Sequence, residues 1–200
     1  MILPAFRRHR QDRNIAALYG AIVAQARRQA FYARYGVPDT VEGRFELIVL
    51  HMVLVLHRLG QDGAPQQQSA PANGPGRGLG HVAGQQLFDV FCRDLDDNLR
   101  EMGVGDMAVP RRMRHFGEAF YGRQAAYCAA LADPGEEALE KTLARNIFGL
   151  AAADGRAVQL ARYARAAANR LSAQAEDTLL TGMSAARDTV FPSPEAFADA

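Results

Sequence analysis

The sequence has few of the residues that carry catalysis or covalent cross-links. Two of its 200 residues are cysteine, Cys92 and Cys128, and none is tryptophan. Two cysteines are too few for a disulfide framework, so we expect both to be small buried hydrophobes in a fold held by apolar packing. There is no Walker A sequence, no G-x-S-x-G, no C-x-x-C and no H-E-x-x-H. The sequence therefore lacks the short motifs that mark these nucleotide-binding, hydrolase, redox and zinc sites.

Long apolar runs and a strong net charge are also missing. The longest apolar run, Leu47–Leu56, is interrupted by His51 and is far shorter than the roughly 20 residues that span a bilayer. The segment Met1–Arg13 contains no apolar stretch typical of a secretory signal. A formal charge of +1 argues against binding to nucleic acid through bulk charge, and we expect no sequence-specific nucleic-acid partner.

The sequence does contain helical periodicity. Apolar residues make up 48% of the chain, enough for a sizeable core, and they recur at helical spacing in several segments. The spacing predicts helices over 14–34, 40–59, 87–102, 110–131, 136–150 and 154–181, the last with a bend or break near Ser172. All nine prolines fall at the proposed boundaries or in the tails. We therefore predict an all-α fold: a single compact helical domain of six or seven helices.

The helix predicted from Thr40 to Leu59 is apolar around nearly its whole circumference. Such a helix is usually surrounded by others, so we expect it to be central. A buried strand over Leu47–Leu56 is the alternative interpretation. Asp39 and Glu42 have the spacing of a capping box at its start. His51 has no second ligand three or four residues away, so we expect a hydrogen-bonded core histidine.

Three segments lie outside the predicted domain core. Residues 1–13 form a basic flexible arm, which could attract anionic lipid or RNA, and residues 183–200 form a flexible tail. Residues 60–80 hold six glycines, three prolines and four glutamines, too little apolar area to offset the entropy of ordering. We predict a helical domain over 14–182, with 60–80 as a disordered, mobile insertion.

The stretch from Leu87 to Arg123 is the densest in information. It has two amphipathic helices joined by a short Gly-rich joint, Met102–Val109, which favours antiparallel neighbours. On the first helix five acids (Asp89, Asp94, Asp96, Asp97, Glu101) face away from the apolar stripe together with two bases (Arg93, Arg100). The second helix has four arginines against Glu118: Arg111, Arg112, Arg114 and Arg123. An acidic helix is therefore predicted beside a basic one.

These residues resemble a known family. The phrases LREMGVGD (99–106), VPRRM (109–113) and EAFYGR (118–123) closely resemble the ubiquinol–cytochrome c chaperone family, and a weaker likeness covers roughly 14–165. The resemblance implies a non-enzymatic assembly chaperone, with no catalytic residue, no metal and no cofactor, that binds newly made cytochrome b, its client, and assists biogenesis of the bc1 complex. The short basic arm, with no evident transit peptide, favours a bacterial cytoplasmic protein, which could be peripheral to the inner membrane, over a matrix protein of a eukaryotic source.

The matched residues also give a predicted client-binding surface. We predict an apolar groove beside the joint, with Arg100, Glu101, Asp106, Tyr121 and Arg123 on its rim. The full set of candidate residues is Asp94, Asp97, Arg100, Glu101, Gly103, Gly105, Asp106, Arg111, Arg112, Tyr121 and Arg123. One alternative is a ribosome- or membrane-docking adaptor that uses the basic arm and helix. A remote alternative is a metal-dependent helical enzyme on the acids, although such enzymes need a second acidic helix. The oligomeric state is left open.

Overall fold

The computed structural model describes residues 3–61, 79–181 and 190–198, and in these ranges the fold is all-α with no strand. The helices are α1 (Leu3–Ala26), α2 (Gln29–Ala33), α3 (Val41–Gln61), α4 (Leu79–Glu101), α5 (Val109–Ala132), α6 (Glu137–Ile147), α7 (Gly155–Ser172) and α8 (Glu176–Thr181), followed by a 3-10 helix (Pro194–Phe197). Six of the helices have eleven or more residues. The predicted fold class is confirmed.

α3 is the central helix, and the strand alternative for Leu47–Leu56 is wrong. It packs against α1, α4, α5, α6 and α7, because apolar residues surround it on all sides. Its largest fully buried side chains are Leu47, Leu50, Met52, Leu54 and Leu59. The helix is capped by Thr40, whose Oγ1 accepts a hydrogen bond from the Gly43 amide at 3.1 Å. The predicted capping box is wrong, because Asp39 is paired with Arg44 at 2.7 Å.

His51 lies at the centre of α3 and is a hydrogen-bonded core histidine, as predicted. The backbone carbonyl of Leu47 can only accept, so His51 Nδ1–H donates to it at 2.7 Å. Nε2 therefore accepts from the Tyr163 hydroxyl at 2.8 Å, which in turn accepts from Gln25 Nε2 at 2.9 Å. Burial lowers the pKa of His51 to about 4, and the Leu47 hydrogen bond acts in the opposite direction.

The first helix differs from the predicted segment 14–34 at both ends. It begins at Leu3, inside the predicted flexible arm, and ends at Ala26. Pro4 is tolerated because it stands in the first turn. Arg28 is extended, with φ −63° and ψ 131°, and this break turns Phe31 into the core, where its ring packs 5.5 Å from His51 and 4.9 Å from Tyr163.

The C-terminal segment, residues 190–198, differs from the predicted flexible tail. Val190 and Phe191 are buried, and the Phe191 ring packs 5.0 Å from His51. The Tyr35 hydroxyl donates to the Pro194 carbonyl at 2.6 Å, and Gln25 donates to Pro192 at 3.0 Å. Of the predicted tail, residues 183–189 and 199–200 lie outside the described residues.

The predicted mobile insertion at 60–80 is shorter in the structure at both ends. α3 continues to Gln61, and α4 begins at Leu79. The remainder of that predicted segment, 62–78, lies outside the described residues. The predicted break near Ser172 is confirmed, since α7 ends there and α8 begins at Glu176.

Candidate functional site

The candidate site is built on α4 and α5, which lie side by side on α3. Phe88, in the first half of α4, packs its ring 5.0 Å from that of Phe120, near the middle of α5. These two rings stand at similar distances before and after the joint, so the helices are antiparallel, as predicted. Their buried stripes contain Leu87, Phe91 and Leu99 from α4, with Val109, Phe120 and Tyr127 from α5.

The joint between the helices has a defined backbone. Gly103 has φ +78°, and its amide donates to Arg100 O at 2.9 Å while the Val104 amide donates to Leu99 O at 3.0 Å. This pair of bonds is the Schellman motif that ends helices at glycine. Arg100 binds Asp96 at 2.7 Å and also binds Asp106. Asp106 is thus held to the end of α4, and the N-cap position of α5 is Ala108, without a side-chain cap.

Several charged side chains around the joint are exposed. Asp97, Glu101, Arg111, Arg112 and Arg114 make no side-chain ion pair with any residue in the described ranges. Among the described residues no ion pair therefore joins the acidic helix α4 to the basic helix α5 at this end. Two methionines are exposed among these charges: Met102 at 63% and Met107 at 95%.

Arg123 does not lie on an open rim, because it is paired with Glu46 of α3. Its Nε donates to Glu46 Oε2 at 2.6 Å, and its Nη2 binds the other carboxylate oxygen. Glu46 is buried, so burial raises the pKa of its carboxyl, while Arg123 pulls that pKa down. Beside this pair, Tyr127 Oη and Asn146 Nδ2 are buried without a hydrogen bond in the described residues. This cluster ties α5 and α6 to α3.

Asp94 also bonds to another helix of the domain. Its carboxylate accepts a hydrogen bond from the Tyr19 hydroxyl of α1 at 2.6 Å. Burial and the neighbouring Asp94 raise the pKa of Tyr19. Asp94 therefore joins α4 to α1, while its side chain, like those of Asp97 and Glu101, stays exposed. In the described part of the chain no group of three or more His, Cys, Asp or Glu is placed to hold a metal ion.

A cavity of about 260 Å³ lies along the first half of α4. It is bounded by the end of α3, the start of α4 and the middle of α5, through Leu56, Leu59, Gly60, Gly80, His81, Gly84, Gln85, Phe88, Phe120, Tyr121 and Gln124. None of these is Asp, Glu, Lys or Arg. Tyr121, 58% exposed, lines the cavity, whereas the other residues predicted for the rim lie at the joint or pair with Glu46. We call this cavity the aromatic groove. It is well separated from the joint, because Phe88 lies about 21 Å along the helix axis from Met102, the first residue of the joint.

The sequence analysis did not identify the residues that complete the Arg123 ion pair and the aromatic groove. Glu46 was one signal that could have been used, because an acid that stands beyond the first turn of α3, next to its apolar run, requires a buried partner. No pattern in the sequence indicated that Leu56, His81 and Gln124 would meet, since they come from three separate helices.

Two further observations bear on chemistry and location. Cys92 and Cys128 are free and half-buried, and burial raises the pKa of both thiols, as expected of small apolar residues. Among the described helices, none combines the length and apolarity needed to cross a membrane.

Comparison with known proteins shows the family to which the chain belongs. The family model described as ubiquinol-cytochrome C chaperone matches residues 33–186, reaching further toward the C-terminus than the resemblance seen in the sequence. A crystal structure of the Cbp3 homolog from Brucella abortus is similar, with 33% sequence identity and a TM-score of 0.78 over 98% of this chain and 99% of that one. A search of curated proteins gives no match. More than half of the chain is matched by the family model, and the fold agrees over nearly its whole length, so the chain belongs to the ubiquinol-cytochrome C chaperone family.

Proposed function

We propose that this protein is a non-enzymatic assembly chaperone that binds newly made cytochrome b and assists biogenesis of ubiquinol–cytochrome c reductase, the bc1 complex. Membership of the family supports the chaperone role. The observation that supports the client-binding part is the aromatic groove, an opening lined by apolar and polar residues but by no Asp, Glu, Lys or Arg, on a domain whose helices are otherwise rich in surface charge.

The composition of the groove suits an apolar segment of a membrane protein. Charged residues make up 22% of the chain, yet none lines the groove. Burying a charge without a partner costs several kcal/mol, so an uncharged lining accepts an apolar side chain without that cost. Phe88 and Tyr121 provide accessible ring faces, with the buried Phe120 behind them. Each large apolar side chain buried against these rings contributes about 1.5–3 kcal/mol.

The polar residues of the groove suit a partner whose own hydrogen-bonding groups are not yet satisfied. Gln85 and Gln124 carry amide groups, and each amide both donates and accepts hydrogen bonds. A segment of cytochrome b that has not yet met haem or neighbouring subunits would bury its apolar side chains in the groove. Its polar atoms would bond at the edge. Such binding shields apolar surface and needs no chemical step.

The test is deletion of the gene followed by complementation. Loss of cytochrome b at normal transcript level, restored by the wild-type gene, is the expected result. Gln124→Glu introduces a charge into the groove with little change in shape, and we expect it to reduce cytochrome b captured by cross-linking by at least about tenfold.

Val41→Ser is the matched control, because Val41 is an exposed apolar residue that does not line the groove. Normal cytochrome b in the deletion strain would contradict the function. Full capture by Gln124→Glu, together with loss of cytochrome b in the deletion strain, would contradict only the groove.

A further inference from the structure

The exposed end of the α4–α5 pair has a charge arrangement that its own fold does not use. We define the tip face as Asp97 and Glu101 of α4, Arg111 and Arg114 of α5, and Met102 and Met107 of the joint. In the described residues none of the four charged side chains makes an ion pair. Two acids and two bases remain open to solvent around two exposed methionines.

Helix geometry puts these charges on one outer surface. Asp97 and Glu101 are one turn apart, opposite the stripe that contains the buried Leu99. Arg111 and Arg114 are also neighbours along one face, opposite the stripe that contains the buried Phe120. Because α4 ends where α5 begins, the acid pair and the base pair lie at the same level along the two helices, on either side of the seam between them.

Arg111 lies in the first turn of α5, where it weakens its own helix. The amino-terminal end of a helix carries a partial positive charge, so a cation there is unfavourable. The first turn of α5 contains no acid, and its N-cap residue makes no side-chain hydrogen bond. An anionic group brought by another molecule would offset this repulsion.

We propose that the tip face binds the tip face of a second copy of this chain. A twofold axis at the tip places the end of α4 of one protomer against the start of α5 of the other. Asp97 and Glu101 then face Arg111 and Arg114 of the partner copy, twice over. Separated opposite charges on one patch are what a self-complementary interface requires, and the two methionines of each copy are covered by the same contact.

The size of the face sets the strength of the association. A tip of six side chains per protomer belongs to the small class of interfaces, below about 1,200 Å² in total. Exposed charge pairs are screened by salt. The dimer is therefore weak and reversible, and its dissociation constant rises with ionic strength.

Sedimentation velocity of the full chain over a range of protein concentrations tests this. We expect reversible dimerisation at about 50 mM salt that weakens at least about tenfold at about 500 mM salt. Arg111→Glu/Arg114→Glu and Asp97→Arg/Glu101→Arg should each weaken self-association by at least about tenfold. Mixing these two variants should restore a dimer, because the reversed charges match again.

The matched control is Arg162→Glu/Arg170→Glu, which reverses two exposed arginines on α7 and should leave the dissociation constant within about threefold of wild type. Circular dichroism confirms that each variant folds, and the salt series on the wild-type chain needs no variant. A monomer at all concentrations, or dimers unaffected by the tip reversals, would overturn the proposal. So would tip reversals that abolish binding to ribosomes or anionic vesicles while leaving self-association unchanged.

Discussion

Among single residues, Glu46 and Arg123 depend most strongly on each other. Removing one member of a buried ion pair leaves the other charged and without a partner, which is more destabilising than the loss of the pair itself. Arg123 keeps 26% of its side chain exposed, so solvent screens part of the effect. We expect Arg123→Gln to lower the free energy of unfolding by about 2 kcal/mol, measured by urea denaturation.

Arg112→Gln is the control for that measurement, since it removes an exposed arginine from the same helix and should change stability by no more than about 0.5 kcal/mol. Equal effects of the two substitutions would mean that the Glu46–Arg123 pair contributes nothing beyond surface charge. Glu46→Gln/Arg123→Gln should lose less than the sum of the single changes.

His51 gives stability a pH dependence. Its pKa is about 4 in the fold and about 6.5 in the unfolded chain. Between these values the unfolded chain takes up a proton that the fold does not, so stability falls as pH drops from about 6.5 to about 4. The loss reaches about 3 kcal/mol. Urea denaturation as a function of pH should show this slope in the wild type and a smaller one in His51→Gln.

His57, whose pKa is also lowered by burial, contributes a slope of the same sign in both proteins. An identical slope in His51→Gln and wild type would show that His51 is not kept neutral by the fold. Three carboxyls have lowered pKa values and change the stability at lower pH: Asp39, Asp154 and Glu195. Their contribution is the same in the wild type and in His51→Gln.

Two helical glycines, Gly43 and Gly117, differ in whether the space around them can hold a side chain. A Cβ on Gly43 would lie 2.0 Å from the carbonyl oxygen of Pro38, whereas one on Gly117, inside α5, would meet nothing within 4 Å. We expect Gly43→Ala to destabilise by more than about 2 kcal/mol, because a backbone atom must move. Gly117→Ala should stabilise by about 0.5–1 kcal/mol, the difference in helix propensity.

Thermal unfolding of the two alanine variants beside the wild type checks both signs. A stabilised Gly43→Ala variant would mean that the Pro38 turn adjusts freely. A destabilised Gly117→Ala variant would mean that α5 needs the flexibility of glycine there.

The elements themselves were predictable where a local pattern determined them. All-round apolarity predicted that α3 is central, and Gly103 with Pro110 predicted the joint. The break after Ala26 was not predictable, because it depends on Phe31 packing against Tyr163, which belongs to the distant helix α7.

The aromatic groove was not predictable either, because three helices have to meet before it exists. The sequence prediction set an apolar groove beside the joint, where the matched residues are densest, whereas the cavity in the structure lies along the first half of α4. A dense match can also mark residues that hold the fold together. Arg123 is one of these, since its matched guanidinium pairs with Glu46 inside the domain.

At the scale of the whole molecule, the C-terminal segment 190–198 closes the core around His51. Phe191 is buried against His51, and replacing a buried phenylalanine by alanine typically costs about 3–5 kcal/mol. We expect Phe191→Ala to lower the free energy of unfolding by about 3 kcal/mol in urea denaturation. The control is Ala196→Gly in the exposed part of the same segment, which should cost no more than about 1 kcal/mol. Equal values would show that the segment does not pack on the core in solution.

The same segment also affects the rates of folding and unfolding. Its hydrogen bonds join residues up to 167 positions apart, so the chain must close a very long loop before they form, and such contacts form late in folding. Interactions absent from the transition state affect the unfolding rate and leave the folding rate nearly unchanged. Phe191→Ala should therefore unfold roughly a hundredfold faster and refold at almost the wild-type rate. The lifetime of the folded chaperone, more than its ability to fold, depends on this short stretch.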